Sequence, residues 1–349
     1  MIVYSLTSPA QLFTYQLHDT LSNRILEAWH SLRRTNPALS SPFFDPHFFT
    51  ASQKFNKAVE FLSIERNGTI EAIFPFERQD EFVGVPVNHV MNDHHGIICG
   101  PSFSADWLSI LRNSKLRKWS FYHTPPGQAQ FVTQRKNKNE IPIIDLLNGS
   151  DRYYQTKRQL GSRLFITLNN LTRRLEKEVG HIEFVFHTQS THALSVFMSL
   201  KSEQYKSNEW PDQFADNKIR GIIAALHSTQ EPSFSGVLSE LYAGGHHLAS
   251  HFGLRSSQTL HYWFPTYREE FRKYSPGHLL LNYLISHSIA NRISLIDLGS
   301  GTHDYKNRFM NDVIETRSGT VEVLSGATIA SHLGSNLSRV YQRCFKMMK

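Results

Sequence analysis

The sequence predicts an α/β fold made of two tandem copies of one unit, each a mixed, mostly antiparallel sheet flanked by helices. Strand-like stretches come in threes, at Ala58–Glu65, Thr69–Phe76 and Phe82–His89, then at Phe234–Leu241, His246–Leu254 and Gln258–Phe264. Corresponding starts lie 176, 177 and 176 residues apart, and the helices that follow, from Ser104 and Ser275, lie 171 apart. Near-constant spacing points to duplication. The residues themselves do not repeat, so two ordinary α/β stretches in the same order are the alternative. The length, 349 residues, also suits two domains of about 150 residues each.

Each element has its own signal. Leu21, Ile25, Leu26, Trp29 and Leu32 recur at three- and four-residue steps and predict a helix over Asp19–Arg34. Asn67-Gly68 between two Val/Ile/Phe-rich runs is a hairpin turn. Ser104–Ser114 reads as a short helix and Leu116–Tyr122 as a strand. Leu160, Leu164, Leu168, Leu171 and Leu175 predict one long basic helix over 151–180, joining a first unit (1–150) to a second (181–349). In the second unit, His192–Lys206 and Asp216–His227 are amphipathic helices ahead of the strands. Ala243-Gly244-Gly245 and Ser256-Ser257 turn the chain between those strands, and the helix Ser275–Arg292 precedes the strand Ile293–Leu298.

Hydrophobic residues make up 40% of the chain, which excludes a disordered protein. No apolar run approaches the roughly 18 to 20 residues that cross a bilayer, and Met1–Leu12 lacks the basic start of a signal peptide. Two cysteines, Cys99 and Cys344, cannot form a disulfide framework. A reducing, cytoplasmic setting is expected. The net charge of +7 comes from one segment: Arg112–Lys177 holds 14 Lys/Arg against four acids, and the remainder is slightly acidic. Such a segment fits a phosphate-bearing partner, a nucleotide, RNA or an anionic lipid surface, or it is a solvated helix face.

Two features border one predicted cleft. In Ser275-Pro276-Gly277-His278, Ser275 suits an N-cap, Pro276 the first helical turn, and Gly277 leaves room for a close ligand. The free N–H groups there would favour a phosphate, or simply belong to a well-capped helix. Asp297-Leu298-Gly299-Ser300-Gly301, then Asp304-Tyr305-Lys306, closes the following strand. Asp297 could orient or deprotonate an amine or hydroxyl, Tyr305 could protonate a leaving thiolate, and Lys306 could pair with a phosphate. A glycine-shaped turn is the plainer account.

These two runs together resemble the CelD/BcsL-type acetyltransferases, the acetyltransferase-6 branch of the GNAT superfamily, related to the Fem-type transferases. Phe197–Lys201, Phe214-Ala215-Asp216, Leu248-Ala249-Ser250 and Asn92-Asp93-His94 fit the same pattern, and the clear similarity spans roughly Tyr153–Phe309. The resemblance implies two GNAT-like units and an acyl-CoA donor, acetyl-CoA or a longer acyl-CoA, with its pyrophosphate at Ser275, Pro276, Gly277 and His278. Tyr274-Ser275-Pro276-Gly277 replaces the family's usual glycine-rich loop. Transfer would be direct, in a ternary complex. Backbone N–H groups near Trp263 and Phe264 would polarise the thioester, and an acid would take the acceptor's proton. Asp297 is the first candidate for that acid, followed by Glu203 and Asp93.

The implied role is N- or O-acyl transfer in exopolysaccharide, cellulose or other surface-polysaccharide assembly. The acceptor would be a sugar, sugar nucleotide or lipid-linked glycan, with a membrane-bound synthase as a further partner and no DNA. A cytoplasmic protein, with a membrane-peripheral position open, is the matching location. The alternatives are a Fem-like transferase using aminoacyl-tRNA, and a degenerate, non-catalytic GNAT pair acting as a binding subunit. No metal site is expected, because His-Glu-x-x-His and Cys-x-x-Cys patterns are missing. Trp107, Trp119, Trp210 and Trp263 read as core or cleft wall, and Trp210-Pro211 as a loop that could cover the acceptor. The tail 327–349 reads as a basic helix, either docking a membrane or synthase or simply solvated.

Overall fold

The computed structural model describes residues 13–323, apart from 90, 105, 126–127, 129–136 and 302. The segment 1–12, the expected tail helix over 327–349 and Cys344 lie outside them. β1 (Thr14–His18) leads to α1 (Asn23–Thr35), whose N-terminus is capped by the Ser22 hydroxyl accepting the Ile25 N–H at 3.4 Å. α2 (Pro46–Phe55) follows under an Asp45 cap, and then comes the meander β2 (Val59–Arg66), β3 (Thr69–Arg78) and β4 (Val83–Val85). β5 (Ile98–Cys99), α3 (Trp107–Asn113), β6 (Lys118–Thr124) and β7 (Asn137–Asp145) complete the first half.

The expected single connecting helix is two helices, α4 (Ser150–Gln159) and α5 (Leu164–Glu178). Between them Gly161 turns the chain at φ +79°, a left-handed conformation that glycine adopts without penalty. The second half then repeats the first: β8 (Ile182–Val185), α6 (Thr191–Ser207), α7 (Asn217–Ser228), β9 (Gln230–Glu231), β10 (Phe234–Ala243), β11 (His246–Ser256), β12 (Thr259–Tyr267), α8 (Pro276–Ser288), β13 (Leu295–Asp297), α9 (Asp304–Phe309) and β14 (Asp312–Glu322).

All strands join one sheet, in the order β1-β2-β3-β4-β6-β14-β7-β13-β12-β11-β10-β8, with β5 on β3 and β9 on β10. Two pairs among the described strands are parallel: β4 with β6, where Val83 faces Lys118, and β12 with β13, where Thr259 faces Leu295. These register points are again 176 and 177 residues apart, so the spacing in the sequence reflects a repeated fold. The final strands change places. β7, from the first half, pairs with β13 of the second, whereas β14 pairs with β6 of the first, and β7 and β14 pair with each other. One apolar core also spans the join, packing Trp29, Phe48 and Phe61 with Phe197, Phe214 and Phe252.

β12 carries the distortion that matters for the site. Leu254 faces His261 and Phe252 faces Phe264, so β12 has one residue more than β11 there, a bulge at Tyr262–Trp263. Opposite the bulge is Gly253, where an added Cβ would lie 2.4 Å from the His261 carbonyl and 2.5 Å from the His251 ring. Gly253→Val is therefore expected to cost about 1–3 kcal/mol, the usual result of overpacking. Urea melts would measure it, and an unchanged midpoint would mean that β11 and β12 part without cost.

Candidate active site

β12 and β13 run side by side for three register pairs, ending at His261 and Asp297. β13 then stops while β12 continues to Tyr267. Past that point the β12 residues Tyr262, Trp263, Phe264, Pro265 and Tyr267 line a cavity of about 580 Å³. Its walls come from both halves: Met91 and Asp93 from the first, and Lys201, Trp210, Trp263, Phe264, Gly277, His278, Tyr305 and Lys306 among those from the second. The Trp263 indole N–H donates to the Met91 carbonyl at 3.0 Å and pins the Asn92–His95 loop to β12.

Behind this cavity lies an alternating chain of carboxylates and imidazoles. Asp93 Oδ2 is 3.1 Å from His261 Nε2, and His261 Nδ1 is 3.4 Å from Asp297 Oδ2. These two contacts are off the hydrogen-bond line, so His261 is held as an ion pair. Asp297 Oδ2 also meets His94 Nε2 at 2.6 Å, and its Oδ1 accepts the Gly299 N–H at 2.7 Å. Burial disfavours the His261 imidazolium, but Asp297 and Asp93 outweigh it and raise the ring to about 9. Burial likewise pushes the Asp93 carboxyl up, and the adjoining imidazolium overrides it, holding Asp93 at about 2. Asp297 is held well below the usual range against its burial by His261 and His94. Gly299 (φ +71°) makes this crowding fit, because a Cβ there would lie 2.8 Å from Asp93 Oδ2.

The candidate acids from the sequence separate in space. Asp297, the first choice as proton acceptor, is 1% exposed and stands behind Asp93, with both oxygens occupied. It does not line the cavity and cannot reach an acceptor there. Glu203 is on the exposed side of α6 and is also absent from the wall. Asp93, the last choice, faces the cavity, and the Ser300 hydroxyl donates to its Oδ1 at 3.0 Å. Tyr305 lines the same cavity, its phenol raised well above the ordinary value by burial and then by the Asp93 charge.

At α8, Gly277 and His278 line the cavity, whereas Ser275 and Pro276 do not. Ser275 stands at the N-cap as expected, but it is left-handed (φ 52°, ψ 54°) and its hydroxyl makes no capping bond. Lys306 Nζ donates to the Gly299 carbonyl at 3.0 Å and to the Ser300 carbonyl, so it braces the loop beside Asp93 rather than standing free for a phosphate. Trp210 is on the cavity rim, with its ring 6.1 Å from that of His303. Trp107 and Trp119 are buried in the core of the first half, stacked at 5.1 Å.

Sequence reasoning passed over His261 and noted His94 and Lys201 only within runs that fit the family pattern, with no role of their own. The first two share the chain of charges with Asp93 and Asp297, which are 204 positions away from each other, and no local spacing records that. His247 and His251 on β11 have separate partners: His247 bonds the Ser250 hydroxyl, and His251 stacks on Tyr262 at 4.1 Å. Among the described residues no group of three or more His, Cys, Asp or Glu is arranged to hold a metal ion.

Residues 164–307 match the family model described as an acetyltransferase (GNAT) domain. No curated protein matches the sequence. The fold is similar to that of FemX, with a TM-score of 0.59 at 8% identity over 90% of this chain and 99% of that one. It is also similar to the C-terminal domain of a putative lysylphosphatidylglycerol synthetase from Agrobacterium fabrum, with a TM-score of 0.52 at 12% identity over 88% and 95%. A tandem GNAT protein from the clavulanic acid biosynthesis pathway matches with a TM-score of 0.50 at 10% identity over 90% and 100%. At these identities the likeness is one of fold. The domain matched over 164–307 is that of an acyltransferase, and the fold of the chain is tandem GNAT-like. No helix among the described residues is long and apolar enough to cross a membrane.

Proposed function

We propose that the protein transfers the acyl group of acetyl-CoA directly to an amine or hydroxyl of a sugar-bearing acceptor, in surface-polysaccharide assembly. The observation that carries this reading is a cavity where the β12–β13 pairing ends, lined by a carboxylate, a phenol and the start of α8. The thioester carbonyl would accept backbone N–H groups at the β12 bulge, near Trp263 and Phe264, where charge develops during attack. Asp93 takes the acceptor's proton and Tyr305 gives one to the departing thiolate. The donor's pyrophosphate meets the first turn of α8 at Gly277, at the positive end of the helix dipole, beside His278, whose N–H goes to the Ser275 carbonyl at 3.0 Å.

The acceptor class follows from the rest of the wall. Tyr205, Trp210 and Trp263 offer aromatic faces to the C–H faces of a sugar, and the Gln204 and Gln213 amides can pair with its hydroxyls. The resemblance of the Ser275–Leu280 and Asp297–Lys306 runs to the CelD/BcsL-type enzymes supports the polysaccharide setting.

Calorimetric titration with acetyl-CoA tests the donor. An added Cβ at Gly277 meets only the Tyr267 ring, at 3.7 Å, so Gly277→Glu is tolerated sterically and places a negative charge on the phosphate path. Micromolar binding by the wild type that weakens at least about tenfold in the variant, roughly the 1.4 kcal/mol of one unfavourable charge contact, is the expected result. A wild type that does not bind would sink the acetyl-CoA reading.

The exposed arginines of α4 and α5, Arg152, Arg158, Arg173 and Arg174, favour a second reading in which aminoacyl-tRNA is the donor. Salt-sensitive tRNA binding without CoA binding would select it. Binding of neither would leave a non-catalytic subunit.

A further inference from the structure

Lys201 is a buried amine in the cavity wall that the transfer scheme leaves unused. It belongs to α6, is 7% exposed, and its Nζ donates to two neutral oxygens at 2.8 Å, Gln204 Oε1 and the Pro265 carbonyl. Among the described residues no carboxylate lies within ion-pair distance of it. Burial pushes the amine down to about 7, so a large share of it is uncharged at neutral pH. The charges and rings around it do not reverse this. On α6 itself the Tyr205 ring stands 5.2 Å away, His251 on β11 and His303 before α9 sense its charge, and Asp93 and Lys306 are elsewhere on the same wall.

The contact of its amine with β12 is the second observation. Pro265 is the residue after Phe264, about 3.3 Å further along the strand, and the bulge at Tyr262–Trp263 comes just before. The amine is therefore held on the strand edge where the donor thioester is seated, on a stem of four carbons that can swing.

We propose that Lys201 is an acylation site of the enzyme itself, taking the acyl group from the bound thioester when no acceptor fills the cavity. This rests on the acyl-CoA reading above. The Lys201 nitrogen forms an amide bond to the acyl carbon, the carbon–sulfur bond breaks, and the proton released from nitrogen ends on the CoA thiol. No other reactant is required. The amide that results is neutral and larger than the amine, and it fills the space beside Tyr205, Trp210 and Gln204. Self-acylation is thus a brake on transfer that acceptor occupancy prevents.

The test is to incubate the purified protein with acetyl-CoA, without acceptor, and to map acetyl-lysine by mass spectrometry while measuring acetyl-CoA binding by calorimetry. The expected result is one acetyl group gained at Lys201 well ahead of exposed lysines such as Lys206 and Lys273, faster as pH rises through neutrality. Lys201→Arg, which keeps a long basic side chain, should bind acetyl-CoA but gain no group there. Gly277→Glu should slow the modification of wild-type Lys201 without slowing the exposed lysines. Binding by the wild type with no acetyl group on Lys201, or with Lys201 no faster than Lys206, overturns the proposal and leaves the donor assignment intact. If acetyl-CoA does not bind, the donor assignment and the brake fall together.

Discussion

Asp93→Asn is expected to lower kcat for acyl transfer by about 10²–10⁴-fold, the range for losing a general base, with acetyl-CoA affinity unchanged. Asp93 is the one carboxylate among the candidates that faces the cavity, and its oxygens are supported by Ser300 and His261. Held at about 2, it is ionised throughout the physiological range. A carboxylate so stabilised is a weak base toward a free amine. It becomes an adequate one once the new bond to carbon has formed, because the attacking nitrogen is then positive and strongly acidic. Asparagine keeps the shape and the Ser300 contact but cannot accept that proton. Single-turnover kinetics beside a binding isotherm would separate the two effects. Wild-type turnover in the variant would remove Asp93 from the base role.

Asp45→Ala is expected to destabilise the fold by about 3–5 kcal/mol, the cost of stranding the partner of a buried ion pair. Asp45 is fully buried at the start of α2, where it accepts the His47 N–H at 3.0 Å and pairs with the Arg33 guanidinium. Arg33 is itself largely buried and also donates to the Ser41 carbonyl at 3.3 Å and to the Ser256 hydroxyl at 2.7 Å, so the pair ties α1 and α2 to β11 of the other half. Removing the carboxylate leaves a buried guanidinium with no counter-charge and α2 with no cap. Burial pushes the Asp45 carboxyl up, but His47 and Arg33 overrule it and hold it below its ordinary 3.8. Its contribution is therefore complete above that value and disappears as acid titrates the folded group. Urea denaturation at neutral pH measures the loss. A variant as stable as the wild type would show that the arginine finds water when unpaired.

The order of elements was written plainly along the chain, and so was the duplication. Apolar residues at three- and four-residue steps made α1, α6 and α7 legible, and alternating Val, Ile and Phe around Asn67-Gly68 and Gly244-Gly245 made the two meanders legible. β7 and β14 were not seen. β7 contains Pro142, which weakens any strand reading, and β14 is mostly polar. Both are strands because the other half supplies the neighbour, and that exchange carries no local signal.

The candidate site shows the same division. The sequence singled out Asp297, Tyr305 and Gly277 by local chemistry, and Asp93 and Trp263 through the family resemblance. It ranked the acids wrongly for reach, since Asp297 follows a strand into a glycine turn and looks exposed there, whereas the fold buries it behind Asp93 between two histidines. The sequence by itself determined the type of most elements, the spacing of the repeated unit and the supply of reactive side chains, because helix and strand periodicity and turn chemistry act within a few residues. Only the tertiary structure decided which carboxylate meets the cavity, which lysine is made a weaker base and which imidazole a stronger one. Those states depend on burial and on charges brought within 4 Å from positions up to 203 residues apart.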